Sequence, residues 1–489
     1  MELDDSRQGP GHGGGPKLAS VVASKIESDI IDRGWPTGAV LGSEASLIEK
    51  YDVSRAVLRE AVRLLEHRQV ARMRRGPNGG LVVTAPASSA VAESVAVFLE
   101  FADVSLRELD EARHALELLS VRLAAENITE EGIERLRANL EHEMADEGRS
   151  RRLDLLDVHR EIAEVTGNPA LEVFVNALLR GTQQMVLPGD PGEDAERANH
   201  EAHRAVLEAI VGRNPGLAEQ RMDQHLNAVS TWLVSELDER SLREAARRRA
   251  RADGEGGPRL KLPERIARRI KDRILDEGHE PGDVLGSESD FLQEYGVSRA
   301  VFREAVRILE YYGIAGTRRG PGGGLVVREP DASHVASAVI TYLEFMAIDP
   351  AHLSEARIAV ELSAVELAVD RVTPEAEKRL YEVLERDRGL KGETLGEPVF
   401  DLHLLLPQIA GNRPLEFFTG VLTRLQAGRV QDHEERSEEE RQEIARSVAH
   451  AHERIIEAVL EGDRGLARHR LARHLEVTTP YVAPRRVRR

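Results

Sequence analysis

The chain has no cysteine among its 489 residues, so disulfides, a thiolate nucleophile and cysteine-ligated zinc are excluded. Aromatic residues are scarce, at 4%, which disfavours an aromatic-rich β-sandwich and suits Leu- and Ala-rich helices. No apolar run approaches the roughly 20 residues that a membrane helix needs. Residues 1–16 are polar and Gly-rich, without the apolar core of a signal peptide, and a cytoplasmic location is expected. A His-Glu-x-x-His pair, a Gly-x-Ser-x-Gly elbow and a phosphate-binding loop are also missing, which leaves a hydrolase without a supporting motif. What is present is 41% hydrophobic and 31% charged residues, a balance that can bury a core and stay in solution. The length calls for at least two domains. The net charge of −18 speaks against nucleic acid only if it is spread evenly along the chain.

The sequence repeats itself. Residues 17–83 align with 261–327 without a gap at an offset of 244, and 36 of 67 positions are identical. The offset continues through His159 and His403 and through Gly167-Asn168 and Gly411-Asn412, then becomes 249 at His203/His452 and His225/His474. There are thus two full copies, each a small unit followed by a larger one. The five-residue difference falls near 188–198 and 432–445. The expected organisation is a polar tail at 1–16, a small unit at 17–85 and a larger one at 90–245. An Arg- and Gly-rich linker at 246–260 follows, then the second small unit at 261–329, its larger partner at 333–477 and a basic tail at 478–489.

In the small unit, helical patterning runs from Lys17 to about Arg33 and closes at Gly34 and Pro36. A second helix is expected from Ser43-Glu44 to about Lys50, and a third after the N-cap Ser54. The third helix carries Val57, Ala61, Leu64 and Leu65 toward a core, with Arg55, Arg59 and Arg63 on another face. Two short strands follow, around Gly76-Pro-Asn-Gly-Gly. Three helices and a basic hairpin describe a winged helix-turn-helix, whose third helix would enter a DNA major groove N-terminus first. A lone arginine stripe is more often a solvated helix face. Here it starts at an N-cap, precedes a basic hairpin and occurs twice. Charge also partitions: residues 17–83 are net +3 and residues 261–327 net 0, so the rest of the chain carries −21. The acid lies outside the candidate DNA-binding units.

At Gly42-Ser-Glu-Ala-Ser-Leu and Val53-Ser-Arg-Ala-Val-Leu-Arg-Glu-Ala, and at their repeats, the chain resembles the GntR superfamily of bacterial transcription regulators. The resemblance implies DNA contacts by Ser54, Arg55, Arg59, Arg74, Arg75 and Gly76, and by Ser298, Arg299, Arg303, Arg318, Arg319 and Gly320. The arginine that the family commonly carries after Ser-Glu is Ala45 in one copy and Ser289 in the other.

The larger units read as helices throughout, for example Leu106–Asn127, Glu130–Glu147, Leu153–Thr166, Pro169–Met185, Ala195–Val211 and Pro215–Leu237. They resemble the all-helical FCD domain of the FadR-like branch. The implied fold class is mainly α: two copies of a winged helix-turn-helix plus an FCD-type bundle. In proteins of this kind three histidines and an aspartate bind a divalent metal. The histidines here would be His159, His203 and His225, and His403, His452 and His474, suited to Zn, Ni or Mn. The aspartate position holds Leu155 and Val399, while Asp157 and Asp401 sit two residues before the first histidine and point elsewhere. A metal-free pocket using neutral imidazoles as hydrogen-bond partners is the competing reading. The family's pocket takes small carboxylates or other metabolites. Arg113 and Arg357 would clamp an anion with paired N–H groups, with Asn168 and Asn412 as further contacts. The alternative for Arg113 is an ordinary i, i+4 salt bridge to Glu117, worth about 0.3–0.5 kcal/mol.

The function expected is a ligand-responsive, sequence-specific DNA-binding regulator, each chain a covalent pseudo-dimer on a near-palindromic operator in the bacterial nucleoid. A scaffold with one degenerate DNA-binding unit is the main alternative, and a three-histidine hydrolase a weaker one. Further pairing of chains into a homodimer is allowed.

Overall fold

A computed structural model describes residues 18–74, 76, 79–145, 156–186, 193–236, 261–318, 320, 323–329, 331–389, 401–430 and 437–478. The described residues form two compact units. One runs to residue 87 and includes 344–346; the other comprises the remainder. The expected tails and linker lie outside the described residues.

The first unit is a small winged helical domain: α1 (Leu18–Asp32), β1 (Val40–Gly42), α2 (Glu44–Tyr51), α3 (Arg55–His67), β2 (Ala71–Arg74) and β3 (Gly80–Val83). Serines start both short helices, because each hydroxyl accepts a backbone N–H that the helix cannot satisfy itself. Ser43 Oγ takes Ser46 N at 3.2 Å and Ser54 Oγ takes Val57 N at 3.3 Å. Val22, Ile26 and Ile30 of α1 pack with Leu58, Ala61 and Leu65 of α3 over Leu81 and Val83 of the hairpin. The hairpin gains a third strand that the sequence reading did not include: β1 pairs with β3, giving the order β1-β3-β2. Gly80 is required at that junction. Its φ is +147°, and a Cβ there would lie 2.4 Å from the carbonyl oxygen of Gly42.

The second unit opens with the first helical bundle: α4 (Ser88–Phe101), α5 (Leu106–Asn127), α6 (Glu130–Ala145), α7 (Asp157–Val165), α8 (Pro169–Val186), α9 (Glu193–Val211) and α10 (Pro215–Glu236). Helix α7 starts at Asp157, and Leu153 to Leu155 lie outside the described residues. The second winged domain follows: α11 (Leu262–Asp276), β4 (Val284–Gly286), α12 (Glu288–Tyr295), α13 (Arg299–Tyr311), β5 (Ala315–Arg318) and β6 (Gly324–Val327), with sheet order β4-β6-β5. The second bundle completes the unit: α14 (Ser333–Phe345), α15 (Pro350–Arg371), α16 (Pro374–Arg388), α17 (Asp401–Ile409), α18 (Arg413–Val430), α19 (Glu438–Leu460) and α20 (Arg464–Thr478). Among the described residues α9 extends from Glu193 and α19 from Glu438.

The two bundles share one core. Leu116, Phe174 and Leu178 of the first are buried in the same cluster as Val360, Phe418 and Leu422 of the second. Phe174 and Phe418, equivalent residues of the two copies, stack with centroids 4.1 Å apart. The second winged domain packs on α4 of the first bundle. Phe101 is buried among Ile266, Phe302 and Leu309, its ring is 5.4 Å from that of Tyr312, and Lys271 pairs with Glu100.

Candidate nucleic-acid interface and histidine clusters

The reading face is built the same way in each winged domain. Arg55 and Arg59 project from the start of α3 and remain 69% and 63% exposed, free to meet a groove. Glu44, the first residue of α2, lies between them, 2.9 Å from Arg59 Nε and 3.6 Å from Arg55 Nε. In the second domain Glu288 stands 3.2 Å from both Arg299 and Arg303. The arginines are thus held side by side by one carboxylate, a device absent from the sequence reading because the partner lies on another helix. Exposed ion pairs of this kind are worth at most about 1 kcal/mol, so phosphate or a base edge can displace the carboxylate. Arg63 turns to Glu60 at 3.4 Å and Arg307 to Glu304 at 2.9 Å. Ser54 and Ser298 spend their hydroxyls capping α3 and α13.

The wing is fastened to the reading helix. Glu66 accepts Met73 N at 3.0 Å and Glu310 accepts Thr317 N at 3.2 Å. Arg74 and Arg318 lie exposed on the outer strands, paired with Gly80 and Gly324. Gly76 and Gly320 shape the tips at φ +116° and +104°. Arg75 and Arg319 lie outside the described residues.

In each bundle three histidines from three helices converge. His159 on α7 faces His203 on α9 and His225 on α10, with Nε2–Nε2 distances of 3.2 Å to each. His474 on α20 lies 3.2 Å from His403 on α17 and 3.3 Å from His452 on α19, again between Nε2 atoms. All six are buried.

The opposite ring nitrogens explain this convergence. His159 Nδ1 bonds Glu117, His403 Nδ1 bonds Glu361 at 2.5 Å, and His452 Nδ1 bonds Asp387 at 2.6 Å. An ionised carboxylate can only accept, so Nδ1 donates and each of these rings turns its Nε2 toward the other histidines. Burial alone would raise Glu117 and Glu361, but Arg113 with His159, and Arg357 with His403, outweigh it. Glu117 ends well below the ordinary carboxylate range and Glu361 at about 2. Burial lowers His225 to about 2 and His403 to about 4, and the neighbouring histidines add to the fall at His225. Burial and the same kind of neighbours lower His474.

Three ring nitrogens turned toward one another suit a cation. A tetrahedral ion with nitrogen at about 2.0–2.1 Å has ligands roughly 3.3 Å apart, and the two spacings given for each cluster match. The donor set therefore fits a divalent metal with positions left open. Asp157 and Asp401 are not part of either cluster: Asp157 pairs with Arg160 at 2.6 Å and Asp401 with Arg386. Leu155 and Val399 lie outside the described residues.

The expected effector contacts divide into two sets. Asn168 and Asn412 do not face the histidines. Asn168 Nδ2 donates to the His352 carbonyl at 2.9 Å and Asn412 Nδ2 to the Glu108 carbonyl at 3.0 Å, both across the joint between bundles. Their side-chain oxygens accept Ala170 N and Leu415 N at the starts of α8 and α18. The Gly-Asn pair reads locally as a helix start, and the joint uses the amide's other end.

Arg113 and Arg357 are buried beside the clusters and bond Glu117 at 2.7 Å and Glu361 at 2.5 Å. This is the i, i+4 pair of the sequence reading, but buried and continued to histidine. In the second bundle Arg357 also bonds Gln426. The equivalent residue of the first bundle is Thr182, whose hydroxyl bonds the Leu178 carbonyl at 2.9 Å. A groove of about 430 Å³ between α19 and α20 reaches His474, with Ile444, Val448 and Val477 as apolar lining and Arg454, Arg470 and Arg473 beside them.

Among the described residues no helix is long and apolar enough to cross a membrane. The FCD domain model matches residues 108–228 and 352–477, and that of the bacterial regulatory proteins of the gntR family matches 18–81 and 262–326. The HTH-type transcriptional repressor NanR of Cronobacter sakazakii is 29% identical over 227 residues, covering 44% of this chain and 85% of the relative. NanR of Escherichia coli K12 is 27% identical over 223 residues, covering 44% and 84%. Among solved structures, a GntR protein of Streptococcus agalactiae is 24% identical with a TM-score of 0.31, covering 43% of this chain and 98% of that one. Matches to two gntR segments and two FCD segments cover most of the sequence, and the chain belongs to the GntR family of bacterial regulators, its winged helix-turn-helix and FCD domains present twice in tandem.

Proposed function

We propose that this ligand-responsive DNA-binding regulator acts as a covalent pseudo-dimer, one chain covering one near-palindromic operator, and that it represses transcription as its NanR relatives do by name. The observation that carries the reading is the duplicated reading face: two arginine pairs, each set between a serine-capped helix start and a single carboxylate. The helices share Ser-Arg-Ala-Val-x-Arg-Glu and differ at Leu58 against Phe302, so they would read nearly the same half-site. The shared core of the two bundles supports pairing within a chain, and the linker keeps the second copy at high effective concentration near the first. Further dimerisation would give a four-headed assembly.

In each bundle His159, His203 and His225, or His403, His452 and His474, would hold a divalent ion such as Zn, Ni or Mn. When bound, the ion supplies a Lewis acid for the carboxylate or other anionic group of an effector. The protein's own residues do the rest. Glu117 and Glu361 orient the first histidine of each cluster, and Arg113 and Arg357 set a guanidinium beside each cluster for an anionic metabolite.

Binding of the full chain to a single near-palindromic duplex tests the reading. Arg55→Ala and Arg299→Ala should each weaken it by roughly 1–3 kcal/mol if the arginine bonds a guanine, with a steep loss of affinity as salt rises. Light scattering should give one chain per duplex. Unchanged affinity in an Arg55→Ala/Arg59→Ala double variant, or two chains required per palindrome, would defeat it.

A further inference from the structure

We propose that the joint between the helical bundles is coded to pair unlike copies, with Glu108 of the first and Arg413 of the second as the discriminating contact. The proposal rests on the pairing of the two bundles and on neither DNA nor metal binding.

The joint has parts that do not care which copy is which. Phe174 stacks on its own equivalent Phe418, and Asn168 and Asn412 make matching bonds to His352 and Glu108 carbonyls. These would recur in a pair of two first copies or two second copies. Discrimination must come from positions where the copies differ, and the charged contacts of the joint are such positions. Arg413 Nε and Nη2 bond the two oxygens of Glu108 at 2.8 Å each, and the backbone N of Arg413 donates to the same carboxylate at 3.1 Å. Arg413 Nη2 also reaches the Asp103 carbonyl at 2.7 Å. Arg371 pairs with Glu111.

The repeat offset gives the residues that a like pair would bring together. Arg413 corresponds to Pro169, and Glu108 to His352. Two first copies would set Glu108 against a proline, which has neither charge nor an N–H to donate, and Glu111 against Asn127 in place of Arg371. Two second copies would set Arg413 against His352. Each loss would occur twice, because a like pair is symmetric. In the unlike pair the reciprocal positions are Pro169 and His352, so no arginine–carboxylate pair is given up there. A fork of parallel N–H bonds to a largely buried carboxylate is a strong contact, and removing one partner leaves the other uncompensated.

The test transplants residues between copies in the full-length chain. Arg413→Pro imitates a pair of first copies on this side of the joint, and it places proline where Pro169 already starts the equivalent helix. Glu108→His imitates a pair of second copies. Each should lower the thermal midpoint by roughly 5 °C. The charge swap Glu108→Arg with Arg413→Glu should melt well above the sum of the two reversals; the Ser105 cap that Glu108 also holds is lost in either background and cancels in the cycle. If either reversal fails to fold, Glu108→Gln and Arg413→Gln complete the same cycle. Transplants that melt with the wild type, or a swap whose losses simply add, would overturn the code. Light scattering of the wild type reads the pairing separately. Two chains per particle would remove the covalent pseudo-dimer and leave the cycle to judge the code.

Discussion

The two bundles bury the same three histidines and differ in what surrounds them. In the second, Gln426 bonds Arg357. In the first, Thr182 stands in place of Gln426 and turns to its own helix. Cluster geometry is retained in both copies, whereas the arginine beside it keeps a side-chain amide as partner in only one. Duplication has thus left the histidine geometry alike and the surroundings of the neighbouring arginine unlike. On the proposed reading Arg113 of the first bundle is offered to an anionic effector, whereas in the second Gln426 already bonds Arg357.

The largest test of this contrast is metal content. Elemental analysis of protein purified without chelator or nickel resin should give two transition-metal ions per chain. His203→Ala or His452→Ala should each leave one, and the double variant none. Metal retained in the double variant removes the three-histidine assignment from both copies.

Anion binding should then separate the bundles. Calorimetry with a panel of small carboxylates should give one site per chain. Gln426→Thr should add a second site or tighten a weak one by about tenfold, which is 1.4 kcal/mol. Equal sites in the unaltered chain would break the contrast.

Acid stability reports on the joint. Burial raises Glu108, but bonds from Arg413 and Ser105 win and hold its carboxyl at about 2, below the ordinary 4.5. A carboxyl depressed on folding gives stability that is complete above its unfolded value and is lost as pH falls toward its folded value. The window is therefore pH 4.5 down to about 2. Glu108→Gln should make that part of the stability curve less steep, with Glu117 and Glu361 still contributing, whereas His352→Gln, at the equivalent position, should leave it in place.

The smallest difference lies in the heads. Asp52 ends α2 at φ +50°, where the second copy has Gly296 at +61°. Asp52→Gly relieves left-handed strain but loosens the unfolded chain. A gain of no more than about 0.5 kcal/mol in the first head is expected from thermal melting.

Much of this was legible in the residues. The serine caps, the 3.6-residue periodicity of α5, α8 and α10, and the repeat itself led to the winged domains and helical bundles. The histidines were named from the family resemblance and their retention in both copies, and the structure brings each set of three together. What escaped was non-local. Strand β1 has only three residues and exists through pairing with β3. Glu117 reaches His159 over 42 residues of sequence, so only its nearer partner, Arg113, could be read from helical spacing. Asn168 and Asn412 looked like pocket residues because one end of an amide signals a helix start and the other carries no sequence signal.

Phe101 ties the first bundle to the second head. It ends the opening helix of the first bundle and is buried in the core of the second head, with Lys271 and Tyr312 around it. A shift of that helix would move the foundation of α13, not merely a neighbour of it. In circuit terms that contact is a shared node, through which an input to one copy would reach the other. An effector held only by the first bundle would then be felt at the half-site read by Arg299 and Arg303.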